Sequence, residues 1–141
     1  MSVEENKSVN LHWIQAFNER NWATEASYRT SDYVAHMSGI PMPLNNDGWN
    51  AFMVEFTQAF PDAQISVEAS MAERDLVASR WTITGTHGGS FQGVPATGRL
   101  ISFAGCDFSR VVDGKVAEHW AQFDLISVLQ QIGALPAPAL A

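Results

Sequence analysis

The hydrophobic pattern of this chain changes period once, near residue 64, and that change restricts the folds open to it. Before it, apolar residues recur at helical spacing; after it, they alternate with polar ones as in half-buried strands. Helices gathered first and strands gathered last predict an α+β layer architecture, with helices on one face of a curved antiparallel sheet. Alternating βαβ units are not expected.

In the first half, Val9, Trp13, Ile14 and Phe17 give an amphipathic helix from about Val3 to Arg20, with acidic residues early, where the helix dipole favours them. WATEASYRT reads as a short second helix. The stretch Ser31 to Pro43, with Gly39 and two prolines, reads as largely irregular. Asn45-Asn46-Asp47-Gly48 precedes a third helix striped by Phe52, Met53, Phe56 and Phe60 and stopped at Pro61. In the second half, a strand from Gln64 turns at Glu73-Arg74-Asp75 into DLVASRWTITGT, and the glycine-rich HGGSFQGVPATGR reads as a short strand with loops. ISFAGCDFSRV and KVAEHWAQF form two more strands joined by a tight Asp113-Gly114 turn, and LISVLQQIG adds one or two helical turns. One domain over residues 1–135 and a Pro/Ala tail over 136–141 are expected, since 141 residues, 46% of them hydrophobic, suffice for one core but not two.

Charge removes several functions. Fifteen acidic residues against 8 basic ones give a formal charge of -7, the wrong sign for nucleic acid or an anionic membrane surface. A lone cysteine, Cys106, allows no internal disulfide, and the acidic, polar start is unlike a secretory signal. A cytoplasmic location is the expectation.

The run Trp81-x-x-x-Gly85-Thr86-His87-x-Gly89-x-Phe91-x-Gly93-Val94-Pro95-x-Thr97-Gly98-Arg99 resembles the hairpin signature of the SnoaL-like polyketide (ester) cyclases. Phe17-Asn18, Asp32-Tyr33-Val34, Ala59-Phe60-Pro61-Asp62, Asp113-Gly114-Lys115 and Glu118-His119-Trp120 follow in family-like order, so the resemblance spans nearly the whole chain. It implies the cone shared by nuclear transport factor 2 and ketosteroid isomerase (the NTF2-like fold), in which helices close a curved sheet around a pocket. It also implies an acid/base reaction without metal or organic cofactor, and a homodimer through the sheet. In the named cyclases an aspartate on the last strand is the general acid/base; the corresponding position here is Ala121. Phe17 and Phe52 likewise stand where those enzymes carry tyrosine and asparagine.

Strand alternation proposes other residues for the chemistry. Asp107 shares a face with Ile101, Phe103, Gly105 and Ser109, and by the resemblance that face lines the pocket, where desolvation would make the carboxylate a stronger base. His119 shares a face with Ala117, Ala121 and Phe123, and an imidazole there can shuttle protons near neutrality. A paired aspartate and a core histidine are the corresponding structural roles. Asp124 and His36 fall where SnoaL-like sequences often carry acid and histidine, so both are candidates for the pocket mouth; Asp124 can equally cap the last helix. Trp13, Phe17, Phe52, Met53 and Phe56 from the helices, with Trp81, Phe103 and Phe123 from the strands, are the expected walls of a site for a small apolar molecule. Phe108 and Trp120, on the other face, suit the dimer. His36, His87 and His119 match no local metal spacing, and no nucleophile elbow or phosphate loop is present. The reading is an aldol-type cyclase or an isomerase acting beside a carbonyl, with a non-catalytic binder and a hydratase or hydrolase as alternatives.

Overall fold

The computed structural model describes residues 1–139. Four helices and five strands follow in the order α1 (Val3–Asn18), α2 (Trp22–Ser27), β1 (Arg29–Met37), α3 (Asn46–Ala59), β2 (Gln64–Glu73), β3 (Leu76–Thr86), β4 (Leu100–Val112), β5 (Lys115–Phe123) and α4 (Leu125–Gln131). The helices start where side chains can accept their free N–H groups. Ser2 accepts from Glu5, Asn21 from Thr24, Asn45 from Gly48 and Asp124 from Ser127. Of the expected tail, residues 136–139 enter no helix or strand, and Leu140 and Ala141 lie outside the described residues.

The strands form one open sheet in the order β1-β5-β4-β3-β2. Its β2–β3–β4–β5 part is an antiparallel meander, turned by Arg74 and by the Asp113-Gly114 pair, all in left-handed backbone conformations. Register shifts in the β2–β3 and β4–β5 ladders add the local twist that such irregularities bring.

Two expectations are corrected. The stretch read as irregular holds β1, which starts at Arg29, within the segment read as a second helix, and pairs parallel to β5 at the sheet edge. The sheet is therefore mixed, not wholly antiparallel. Gly39, Pro41 and Pro43 stand beyond the strand's end, while Arg29, Tyr33 and Ala35 turn inward, and a partner more than 80 residues away leaves no local signal. The glycine-rich connection between β3 and β4 contains only an isolated Phe91–Val94 bridge in place of a short strand. There His87 ties the loop together: its N–H donates to the Arg99 carbonyl, its carbonyl accepts from Gly98, and its ring nitrogen meets the Thr97 hydroxyl at 2.9 Å.

One sheet face is covered by helices and the other is open. On the covered side Val9, Trp13 and Phe17 of α1 and Trp49 and Met53 of α3 meet Val77, Trp81, Ile83, Ile101 and Phe103. The end of α1 is fastened by Asn18, which exchanges two 2.8 Å hydrogen bonds with the Ile65 backbone. Asp62, after α3, accepts 2.7 Å bonds from the Thr86 N–H and hydroxyl, and these hold its carboxyl below the usual carboxylate range. No helix among the described residues is long and apolar enough to cross a membrane.

Gly105 matters because a methyl group there would collide with the Trp81 ring and approach the Gln122 carbonyl at 2.6 Å. The missing side chain leaves room for the Trp81 indole over β4. Gly105→Ala is expected to lower stability by about 1–3 kcal/mol in urea unfolding, the usual cost of overpacking; an unchanged midpoint would contradict this packing.

Candidate active site

Asp107 on β4 lies in register with Ala121 on β5, and Ser109 lies in register with His119. Asp107 and His119 are therefore diagonal neighbours on one face, within reach of each other. Their side chains meet at 2.9 Å, Oδ2 to Nε2, and both residues are only 4% exposed. The second carboxylate oxygen of Asp107 and Nδ1 of His119 are buried with no hydrogen-bond partner among the described residues. Buried polar atoms left unpaired cost about 1–3 kcal/mol each; the same holds for atoms of Arg29, Thr30, Ser70 and His87, none of which lines the adjoining cavity.

Two indoles hold the imidazole. Trp13 and Trp49 stand edge-to-face to His119, at 5.0 and 5.6 Å between ring centres. Both donate their N–H groups to the same Glu25 oxygen, at 2.8 and 3.0 Å. The other Glu25 oxygen pairs with Arg29 at 2.9 Å, and Arg29 donates in turn to Asn46 and Asn50. This chain of bonds fixes α1 and α3 against β1 with His119 between them. Beside it, the buried Tyr33 hydroxyl has no partner. Burial raises its pKa well above the ordinary value, and Glu25 and Asp107 push the same way against the opposing Arg29 charge. Tyr33 is thus kept as a neutral phenol. A second buried set, Asn10 with Ser79 and Ser109, satisfies the polar groups flanking Asp107 on the sheet.

These groups adjoin a cavity of about 100 Å³. All eight aromatic and methionine side chains expected as walls line it, together with Asp107 and His119. Glu25, Trp49, Met37, Ile65 and Ile83 also line it and were not foreseen. Trp49 had a readable signal, since it extends the Phe52, Met53 and Phe56 stripe by one turn; Glu25 had a weaker one, its i,i+4 spacing to Arg29.

The other two candidates do not reach the cavity. On β1, Ala35 is in register with His119 and His36 with Trp120, so alternation sends His36 to the open face. There it bonds to Glu118 at 2.8 Å and stacks on Trp120 at 5.5 Å. Asp124 is exposed and caps α4 through Ser127, at 3.0 Å. Among the described residues, no three His, Cys, Asp or Glu side chains gather as a metal would require.

The layered α+β fold, with an apolar cavity between helices and sheet, is that of the NTF2-like class. Residues 7–132 match the model of the SnoaL-like polyketide cyclases, and the chain belongs to that family. It is similar to the crystal structure of AclR, a candidate hydroxylase from Streptomyces galilaeus, with TM-score 0.89 and 33% identity over 98% of this chain and 87% of that one. IdmH, a candidate polyketide cyclase from Streptomyces antibioticus, has TM-score 0.83 and 31% identity over 91% of this chain and 98% of its own. TsrD from Streptomyces laurentii, 24% identical, shares the fold with TM-score 0.82 over 96% of this chain and 99% of that one. No curated protein matches the sequence.

Glu25→Ala would leave Arg29 buried without its counter-charge and both indole N–H groups unpaired, and is expected to cost about 3–5 kcal/mol in urea unfolding. Glu25→Gln keeps an oxygen for the indoles and should cost less. Equal losses for the two variants would contradict the assigned hydrogen bonds.

Proposed function

We propose that the chain is a cofactor-independent acid/base enzyme that moves a proton at a carbon next to a carbonyl in a small apolar substrate. The observation that carries the reading is the 2.9 Å Asp107–His119 pair in the wall of an apolar cavity, with one unpartnered atom on each side chain. In this scheme Asp107 takes the α-proton through its free oxygen, and the electron pair left on carbon delocalises onto the carbonyl oxygen. His119, bonded to the other carboxylate oxygen, orients the base, much as imidazole and carboxylate orient one another in catalytic triads. The proton then returns to a different carbon in an isomerisation. In an aldol ring closure the enolate attacks a second carbonyl, and the proton goes to the new alkoxide.

Family and neighbours support polyketide chemistry of this general kind, and the resemblance gives it a structural form. Asp107 stands in register with Ala121, the position of the catalytic aspartate in the named cyclases, so here the carboxylate lies one strand over on the same face. That displacement also supports a second reading, a non-catalytic binder that kept the pocket and lost the original acid. Hydroxylation, the activity attached to AclR, is a further reading, and oxygen uptake during turnover would mark it. A cytoplasmic setting fits a chain whose only cysteine is the free Cys106.

Exchange of the α-hydrogens of a bicyclic ketone such as 2-tetralone into D2O tests proton transfer without knowledge of the natural substrate. The protein should accelerate exchange, and Asp107→Asn should slow it by about a hundredfold or more with ligand binding retained. Binding with no exchange at any pH would favour the binder.

For the quaternary state we propose a homodimer through the open sheet face, where Phe108 is 51% exposed beside the His36–Trp120 stack. Sedimentation should give a dimer that Phe108→Arg shifts toward monomer; a wild-type monomer at all concentrations would contradict this.

A further inference from the structure

A second, larger space of about 520 Å³ adjoins the cavity, bounded by α3, the residues after β1, the Ser90–Gly93 turn and the start of α4. Phe52, Phe56, Phe103 and Phe123 line both spaces. Their rings form one continuous series. Phe52 stacks on Phe56 at 6.3 Å, Phe56 meets Phe103 edge-on at 6.5 Å, and Phe103 meets Phe123 at 5.8 Å. The partition is thus made of side chains, which can reorient without moving the backbone.

Size makes the partition consequential. An engineered apolar cavity of about 150 Å³ holds a single benzene ring, whereas the inner space is about 100 Å³. Even one substrate ring therefore has to displace the phenylalanines, and anything longer extends into the outer chamber. The two chambers also differ in chemistry. The inner walls are apolar except for Asp107, His119 and the fully engaged Glu25. The outer chamber has an apolar wall of its own, with Ile40, Phe91, Leu125 and Val128, but adds the polar Glu55, Gln58, Ser90 and Gln92, and Ser38, whose hydroxyl is already bonded to the β5 end. No Lys, Arg or His is among its lining residues. An anionic group there would face Glu55 with no counter-charge, in a protein whose formal charge is already -7. Amide and hydroxyl side chains instead match neutral hydroxyl groups.

We propose that the outer chamber is the second half of the ligand site and takes a neutral, hydroxyl-bearing portion of the substrate. The carbonyl-bearing ring crosses the phenylalanine partition to reach Asp107. The substrate class is then amphipathic and non-anionic. This inference rests on the reading of the inner cavity as the site for an apolar carbonyl compound.

Three probes separate the two ideas: acetophenone, 4-acetylphenyl β-D-glucoside and 4-acetylphenyl phosphate, with affinities measured by calorimetry at fixed ionic strength. The glucoside should bind about tenfold tighter than acetophenone, the gain expected from one or two neutral hydrogen bonds. The phosphate should show no such gain. Glu55→Ala with Gln58→Ala, both exposed helical positions that tolerate alanine, should remove most of the glucoside's advantage and leave acetophenone unchanged. A phosphate that binds as tightly as the glucoside, or a glucoside advantage untouched by the double substitution, would overturn the outer-chamber assignment alone. Failure of all three probes to bind would overturn the inner-cavity reading and this inference with it.

Discussion

A carboxylate and an imidazole in contact, both almost without solvent, impose a demand that much of this fold meets. Burying such groups is costly unless their polar atoms are paired. The Asp107–His119 bond satisfies one atom of each and leaves Oδ1 and Nδ1 without a partner among the described residues. Two tryptophans from different helices close on the imidazole, and a single Glu25 oxygen holds both indoles in place. Glu25 is itself buried, so it needs Arg29, and Arg29 needs Asn46 and Asn50. Each step of this sequence compensates the burial made necessary by the one before. It ends at the start of α3, which ties the helical layer to the edge strand β1.

The apolar half of the site was legible in the sequence because periodicity reports which face of an element is buried. The helix stripes and the alternation in β4 and β5 suffice to bring Asp107, His119 and the eight wall residues to one side. Contacts that join distant segments were not legible. The β1–β5 pairing is parallel and spans more than 80 residues, so within the Ser31–Pro43 stretch only the Gly and Pro content carries a local signal. The same gap misplaced His36, whose facing is set by that register. Asp124 illustrates a different limit, since an acid just before a helix has the same local sequence whether it caps or reacts. Glu25 escaped notice because its role depends on two indoles from two other helices.

Membership of the SnoaL-like family establishes the scaffold, and a scaffold of this kind hosts many chemistries. In this chain the cavity wall carries a buried carboxylate–imidazole pair. With Ala121 in the wall and Asp107 across the ladder from it, the Asp107 carboxylate lies on the cavity face with His119 as its direct partner. A pair of that kind differs from a lone aspartate: the imidazole fixes the carboxylate's orientation and leaves its second oxygen free.

Nitrogen-15 spectra of the His119 ring, recorded with and without 2-tetralone, test most directly whether this pair faces the ligand. If Asp107 and His119 form the proton-transfer unit, the ring-nitrogen signals of His119 should shift on binding and lose that response in Asp107→Asn, while those of the exposed His12 stay still. His119 signals that ignore a bound ketone would mean that the pair only supports the core, and the catalytic reading would fall.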